Sequence, residues 1–144
     1  VPARGLIDTG PILALLDRND PWHGPCVATI SRLHLPLITS AAVLTEVFHL
    51  IPDGPRVLEE AWTLIRSGAI AVASIADDDL DSVHALMARY RDRPMDFADA
   101  TLVHLAHRES LTEIFTIDHD DFETYRIDGR RRFRVVPDRS ARQP

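Results

Sequence analysis

The 144-residue chain contains no lysine, a single cysteine and no long uninterrupted apolar run. Without lysine, every mechanism that depends on a lysine side chain is excluded, including a P-loop, which needs a Gly-Lys-Ser/Thr end. Cys26 alone cannot close an intrachain disulfide, so nothing is built for an oxidising compartment. No stretch approaches the roughly 18 apolar residues of a membrane-spanning helix, and Val1 to Leu16 is interrupted by Arg4, Asp8 and Pro11. The expectation is a soluble, cytoplasmic protein with no membrane partner. With 45% hydrophobic residues at this length, one compact core fits and two do not. Positive charge is also scarce: 16 arginines face 22 acidic residues, a net charge of −6. That is the wrong sign for holding nucleic acid through bulk electrostatics, so any such contact must be local. Arg130, Arg131, Arg132 and Arg134 form a basic knot whose planar guanidinium groups suit phosphate.

What is present is an alternation of short apolar runs with helical periodicity. Leu6-Ile7 stops at Asp8-Thr9-Gly10, Pro11 follows where a first helical turn tolerates it, and Ile12, Leu13, Leu15 and Leu16 continue: strand, turn, helix. Asn19-Asp20-Pro21 ends that helix, and a second spans His23 to Leu33. Leu35 to Ile38 reads as a buried strand with proline near its start, and Ser40 caps a helix over Ala41 to Ile51. After the break Pro52-Asp53-Gly54-Pro55, the residues Val57, Leu58, Ala61, Trp62 and Ile65 recur at helical spacing up to Gly68. A strand follows from Ile70 to Ile75. Asp77-Asp78-Asp79 suits a helix amino terminus better than a metal cluster, and that helix runs through Leu86 to Arg91. Pro94 and Asp96 open a further helix carrying Ala98 to Ala106. Ile114 to Ile117 reads as a strand ended by Asp118, with Asp120 and Asp121 as turn or helix-start residues, and Phe133 to Val136 as a last strand. The domain is placed at 1–137, with 138–144 a frayed polar tail. Strands alternating with helices imply an α/β fold: three layers, α/β/α, around a mainly parallel sheet of four or five strands.

In such sheets a ligand sits beyond the carboxyl ends of the strands, at the crevice where strand order reverses. Asp8 and Asp118 both stand at strand ends. If those strands are neighbours, the two carboxylates meet at one rim, and Glu46 and Asp99 can reach it from helices. Carboxylates so gathered repel one another, with raised pKa values, unless a cation neutralises them. All-oxygen ligands point to Mg²⁺ or Mn²⁺. Such an ion would give phosphodiester hydrolysis a physical basis and reconcile an acidic protein with an anionic substrate. Each acid has a plainer reading beside this one. Asp8 also fits a turn-forming residue, and Glu46 a solvent-facing glutamate within the apolar run Val43 to Phe48. Asp96 and Asp99, three apart on one helix face, also fit an N-cap and its first-turn companion.

Taken in order, Leu-Ile-Asp-Thr-Gly-Pro at 6–11, Leu-Thr-Glu-Val at 44–47, Asp-Phe-Ala-Asp-Ala-Thr-Leu-Val at 96–103 and Phe-Thr-Ile-Asp at 115–118 resemble the successive motifs of PIN-domain ribonucleases. They look like the VapC-type toxins of bacterial toxin–antitoxin pairs, over nearly the whole chain. The resemblance implies a PIN-like fold whose central strand is Leu6 to Asp8, with the Ile114 strand beside it on the side away from the Leu35 strand. It implies that Asp8, Glu46, Asp99 and Asp118 are the catalytic, metal-positioning acids, with Asp96 accessory and Thr9 a polar neighbour. It further implies Mg²⁺- or Mn²⁺-dependent endonucleolytic cleavage of RNA (tRNA, rRNA or mRNA), leaving a 5′-phosphate and a 3′-hydroxyl. A cognate protein antitoxin and a homodimer are implied too, and the arginines at 130–134 become a place for the RNA backbone. Leu44, Val47, Phe48, Leu50, Ile51, Val57, Leu58, Trp62 and Ile65 offer more apolar surface than one short strand covers. A groove between their two helices could take an amphipathic antitoxin helix; core packing or a homodimer interface fits the same stripe.

Other readings explain less. Asp8-Thr9-Gly10 is also the signature of aspartic proteases, but those are nearly all β, and here the motif enters a helix. A receiver domain resembles a family that uses lysine, and a haloacid-dehalogenase-like phosphatase needs a second aspartate where Gly10 stands. A PIN-like interaction module without turnover fits the same residues. His104 and His107 stand three apart on a helix, yet no third ligand with zinc spacing accompanies them. Cys26 reads as a small core residue.

Overall fold

The computed structural model describes residues 4–142. The strand β1 (Gly5–Ile7) is followed by α1 (Thr9–Leu16) and α2 (His23–Ile30), and β2 (Leu37–Ser40) by α3 (Ala41–Leu50) and α4 (Pro55–Arg66). Next come β3 (Ile70–Ala73), a 3₁₀ turn at Asp77–Asp79, then α5 (Leu80–Arg89) and α6 (Phe97–Arg108). The chain continues through β4 (Glu113–Phe115), α7 (His119–Thr124), a small hairpin of β5 (Arg126–Ile127) and β6 (Arg131–Arg132), and β7 (Arg134–Val136). Five strands make one sheet in the order β3-β2-β1-β4-β7, and every pairing in it is parallel. β1 is central and β4 lies beside it opposite β2, as the family resemblance implies. Chain order runs outward from β1 through β2 to β3, then crosses back to β4. The switch point therefore falls at the carboxyl ends of β1 and β4.

Burial follows from this order. All three residues of β1 are buried, as a strand covered on both faces should be. α6 is buried continuously from Ala100 to Ala106, Thr101 and His104 included, and is the internal helix of the fold. It contacts α3, α5, β1, β2 and β5. Its small residues Ala98, Ala100 and Ala106 let that packing be close. α3 touches both α1 and α6 and so spans the crevice at the sheet's end.

Several sequence expectations need correction. The second strand begins at Leu37 rather than Leu35, and the third stops at Ala73 rather than Ile75. β4 ends at Phe115, so Asp118 does not end a strand: it caps α7, accepting from the backbone N–H of Asp121. Phe133 lies outside β7, buried edge-on to Phe122 with ring centroids 5.5 Å apart. α7 and the β5–β6 hairpin are too short to show a period in the sequence. Of the apolar stripe on α3 and α4, Val47 and Ile65 belong to the core, whereas Leu50, Leu58 and Trp62 are exposed. The tail is tied down through residue 141: Arg139–Ala141 forms a 3₁₀ turn, and Arg139 pairs with Asp120 and Glu123.

Candidate functional site

Asp8 leaves β1 with its backbone N–H on the Phe115 carbonyl of β4 at 2.9 Å, and its side chain becomes the N-cap of α1. One carboxylate oxygen accepts from the Thr9 N–H and the other from the Thr116 hydroxyl, both at 2.8 Å. The Thr116 oxygen in turn accepts from the Asp118 N–H at 3.0 Å. One threonine thus couples the acid after β1 to the acid after β4. On the far side, the Thr9 hydroxyl donates to Glu46 Oε1 of α3 at 2.6 Å. α3 is aimed there by its Ser40 cap, whose hydroxyl also shares a 2.7 Å hydrogen bond with Thr101 of α6. Asp96 caps α6 by accepting from the Asp99 N–H at 2.8 Å. Asp99 Oδ2 accepts from the buried Tyr125 hydroxyl at 3.0 Å.

These carboxylates feel one another. Burial, and then the charges of Glu46 and Asp118, push Asp8 up from 3.8 to about 6. Asp99 rises further, to about 8, through burial and then repulsion from Asp8 and Asp96. Asp118 is pushed up to about 6 by burial and by Asp121, and Glu46 is raised by burial and by Asp96. No arginine or histidine pairs with Asp8, Glu46, Asp96, Asp99 or Asp118 among the described residues, although Asp120 and Asp121 beside them carry Arg139 and Arg93. The donors holding the site are instead neutral: hydroxyls and backbone N–H groups. They fix the carboxylates without cancelling their charge, which leaves the charge for a cation.

The donor set fits a hard divalent ion, being all oxygen. Among the described residues no three histidine, cysteine or acidic side chains close around one point.

Elsewhere the sequence candidates separate from the site. Arg131 pairs with Asp128, Arg134 with Glu113, and Arg130, Arg131 and Arg132 lie exposed at the hairpin. None of the four contacts a site acid through a hydrogen bond. His104 is engaged by Asp79 at 2.8 Å, with no zinc constellation around it among the described residues. The Cys26 thiol is buried and pushed up to about 12, which makes it a core residue and not a nucleophile. Two site contributors escape a reading of the sequence alone. Thr116 stands in plain view two residues before Asp118; Tyr125 carries no sequence signal.

Comparison with known proteins fits this geometry. The family model described as PIN domain matches residues 5–128, and the chain belongs to the PIN-domain family. Ribonuclease VapC26 of Mycobacterium tuberculosis is 29% identical over 134 residues, spanning 92% of this chain and 99% of that protein. The fold is also similar to that of M. tuberculosis VapC20, a sarcin–ricin loop cleaving toxin, with a TM-score of 0.71. That likeness covers 80% of this chain and 90% of VapC20 at 22% identity, and it concerns the fold alone. The parallel sheet and the entry of Asp8-Thr9-Gly10 into α1 exclude the aspartic-protease reading. No helix among the described residues is long and apolar enough to cross a membrane.

Proposed function

We propose that this protein is the toxin of a toxin–antitoxin pair and acts as an endoribonuclease that depends on Mg²⁺ or Mn²⁺. The observation that carries the reading is the set of mutually repelling carboxylates held by neutral donors and matched by no protein cation among the described residues. The VapC relatives support ribonuclease chemistry and an antitoxin partner. Asp8, Glu46, Asp99 and Asp118 would hold the ion, with Asp96 adding negative charge beside Glu46. A divalent ion bound there supplies Lewis acidity, acidifying a water and offsetting charge on the phosphodiester. The chain's own part is orientation. Thr9 spaces Asp8 from Glu46 by donating its N–H to one and its hydroxyl to the other, and Thr116 ties Asp8 to the Asp118 backbone. An unprotonated carboxylate here can also accept a proton from water. Arg130, Arg131 and Arg132, exposed at the hairpin, would hold the RNA backbone. The substrate is RNA with an unpaired, base-exposed loop, in tRNA, rRNA or mRNA, and the place of action is the cytoplasm.

Leu50, Leu58 and Trp62, 58%, 41% and 44% exposed, form the face for the antitoxin. α4 also forms a groove with α1, lined by Leu15, Leu16, Arg18, His23, Arg56, Val57 and Glu60. The exposed Phe97, Leu80 and Val72 near the β3 edge form a second face, where a homodimer would close. Cleavage of a loop-containing RNA with Mn²⁺, with EDTA, and with Asp8→Asn tests the central reading. Activity should need the metal and vanish in the variant. Cleavage that survives EDTA contradicts it, and a wild type that binds antitoxin but never cuts RNA would favour a non-catalytic interaction module.

A further inference from the structure

Asp8, Glu46 and Asp118 rest on neutral donors that come from the motif segments or the turn directly after them. Thr9 and Thr116 serve Asp8, Thr9 serves Glu46, and the Asp121 N–H serves Asp118. Asp99 is different. Its carboxylate accepts from Tyr125, 26 residues further on, through a phenol at 3.0 Å.

Tyr125 is fully buried. Its ring lies edge-on to Tyr90 at 5.0 Å and to Phe122 at 5.2 Å, and Phe122 meets Phe133 edge-on in turn. The Tyr90 hydroxyl accepts from the Arg126 N–H at 3.0 Å, which pins the backbone directly after Tyr125. The ring therefore has little freedom, and its one polar side-chain atom points at Asp99. Asp99 also meets repulsion from Asp8 and Asp96. A carboxylate pushed by like charges, with no cation to hold it, turns away from the cluster unless a donor fixes one oxygen. The phenol fixes Oδ2 and leaves Oδ1 with no hydrogen-bond donor among the described residues.

We propose that Tyr125 is a positioning residue that orients the Asp99 carboxylate for the divalent ion, acting through Asp99 and touching neither the ion nor RNA. The inference rests on the reading of Asp99 as a metal-site acid. Hydrogen-bond partners of metal ligands typically govern affinity or activity about 10–100-fold.

The test is Mn²⁺ binding to the full chain, followed by electron paramagnetic resonance of free Mn²⁺, together with RNA cleavage kinetics. Tyr125→Phe should weaken Mn²⁺ binding about tenfold or more and lower kcat with KM for RNA unchanged. Thermal unfolding in EDTA should stay close to wild type. Tyr90→Phe, which frees the Arg126 N–H but leaves the Tyr125 phenol on Asp99, should weaken Mn²⁺ affinity less than Tyr125→Phe does. In an Asp99→Asn background, Tyr125→Phe should weaken binding no further, the non-additivity expected of a residue acting through its neighbour. Mn²⁺ affinity of Tyr125→Phe within about twofold of wild type, well short of the usual effect of such partners, overturns the proposal. So does a variant that fails to fold, since the hydroxyl would then serve structure. If Asp99→Asn itself leaves Mn²⁺ binding intact, the metal-site reading has failed first.

Discussion

Removing the charge of Asp8 should stabilise the metal-free protein while destroying its activity. The Asp8 carboxyl moves from 3.8 to about 6 on folding, and that gap corresponds to about 3 kcal/mol by which the fold disfavours the anion. Below 3.8 the group is neutral whether folded or not, and the penalty is absent. Between 3.8 and about 6 the folded state holds more protons than the unfolded one, so wild-type stability falls as pH rises; above about 6 the full penalty is present. A neutral asparagine carries no such penalty at any pH. Its amide keeps an acceptor for the Thr9 N–H but turns an NH₂ group toward the Thr116 hydroxyl, which in the wild type donates to the carboxylate; that mismatch costs about 1 kcal/mol. The balance near neutral pH is about 2 kcal/mol in favour of Asp8→Asn, which raises Tm by roughly 4–8 °C. Calorimetry in EDTA on either side of the titration, at about pH 4 and about pH 7.5, reads it. The variant should match or fall slightly below wild type at the acid end and exceed it at the neutral end. Added Mg²⁺ should raise only the wild type, because ligand binding stabilises the state that binds it. An Asp8→Asn variant equally destabilised at both pH values refutes the argument, since the burial of charge would then not be the controlling cost.

Gly10→Ala should cost about 1–3 kcal/mol and lower cleavage more than stability, because its Cβ would fall 2.5 Å from Ile117 Cγ1, next to Asp118; wild-type rates would contradict this. Phe122→Ala, which empties a fully buried site between Tyr125 and Phe133, should lose about 3–5 kcal/mol in urea unfolding. Asp96→Asn retains the helix cap and should hurt cleavage less than Asp99→Asn, compared under single-turnover conditions. Trp62→Glu should remove antitoxin co-purification at a cost of about 1 kcal/mol for the lost contact with Phe48; co-purification at wild-type yield would argue against that face.

Alternation of apolar runs, caps and breaks in the chain determined the α/β class, the parallel sheet and most helices, because burial on two faces and 3.6-residue spacing leave marks that local sequence preserves. Asp8 and Asp118 stood out as candidates because each follows an apolar run and contributes little to packing, whereas Glu46 and Asp99, which fit a solvent-facing glutamate and a first-turn acid as well, joined them through the order of the family's motifs. Tertiary structure alone decided their electrostatics. That Asp99 stands far above an ordinary carboxylate while Asp120 and Asp121 pair with arginines depends on which side chains meet across long stretches of chain. It also decided Tyr125, since an aromatic near a short helix looks like any other until folding aims its hydroxyl. Of α7 the sequence marked only a turn or helix start at Asp120 and Asp121, and the β5–β6 hairpin left no mark, because elements of six and two residues are stabilised by what they pack against and are too short to carry a period of their own.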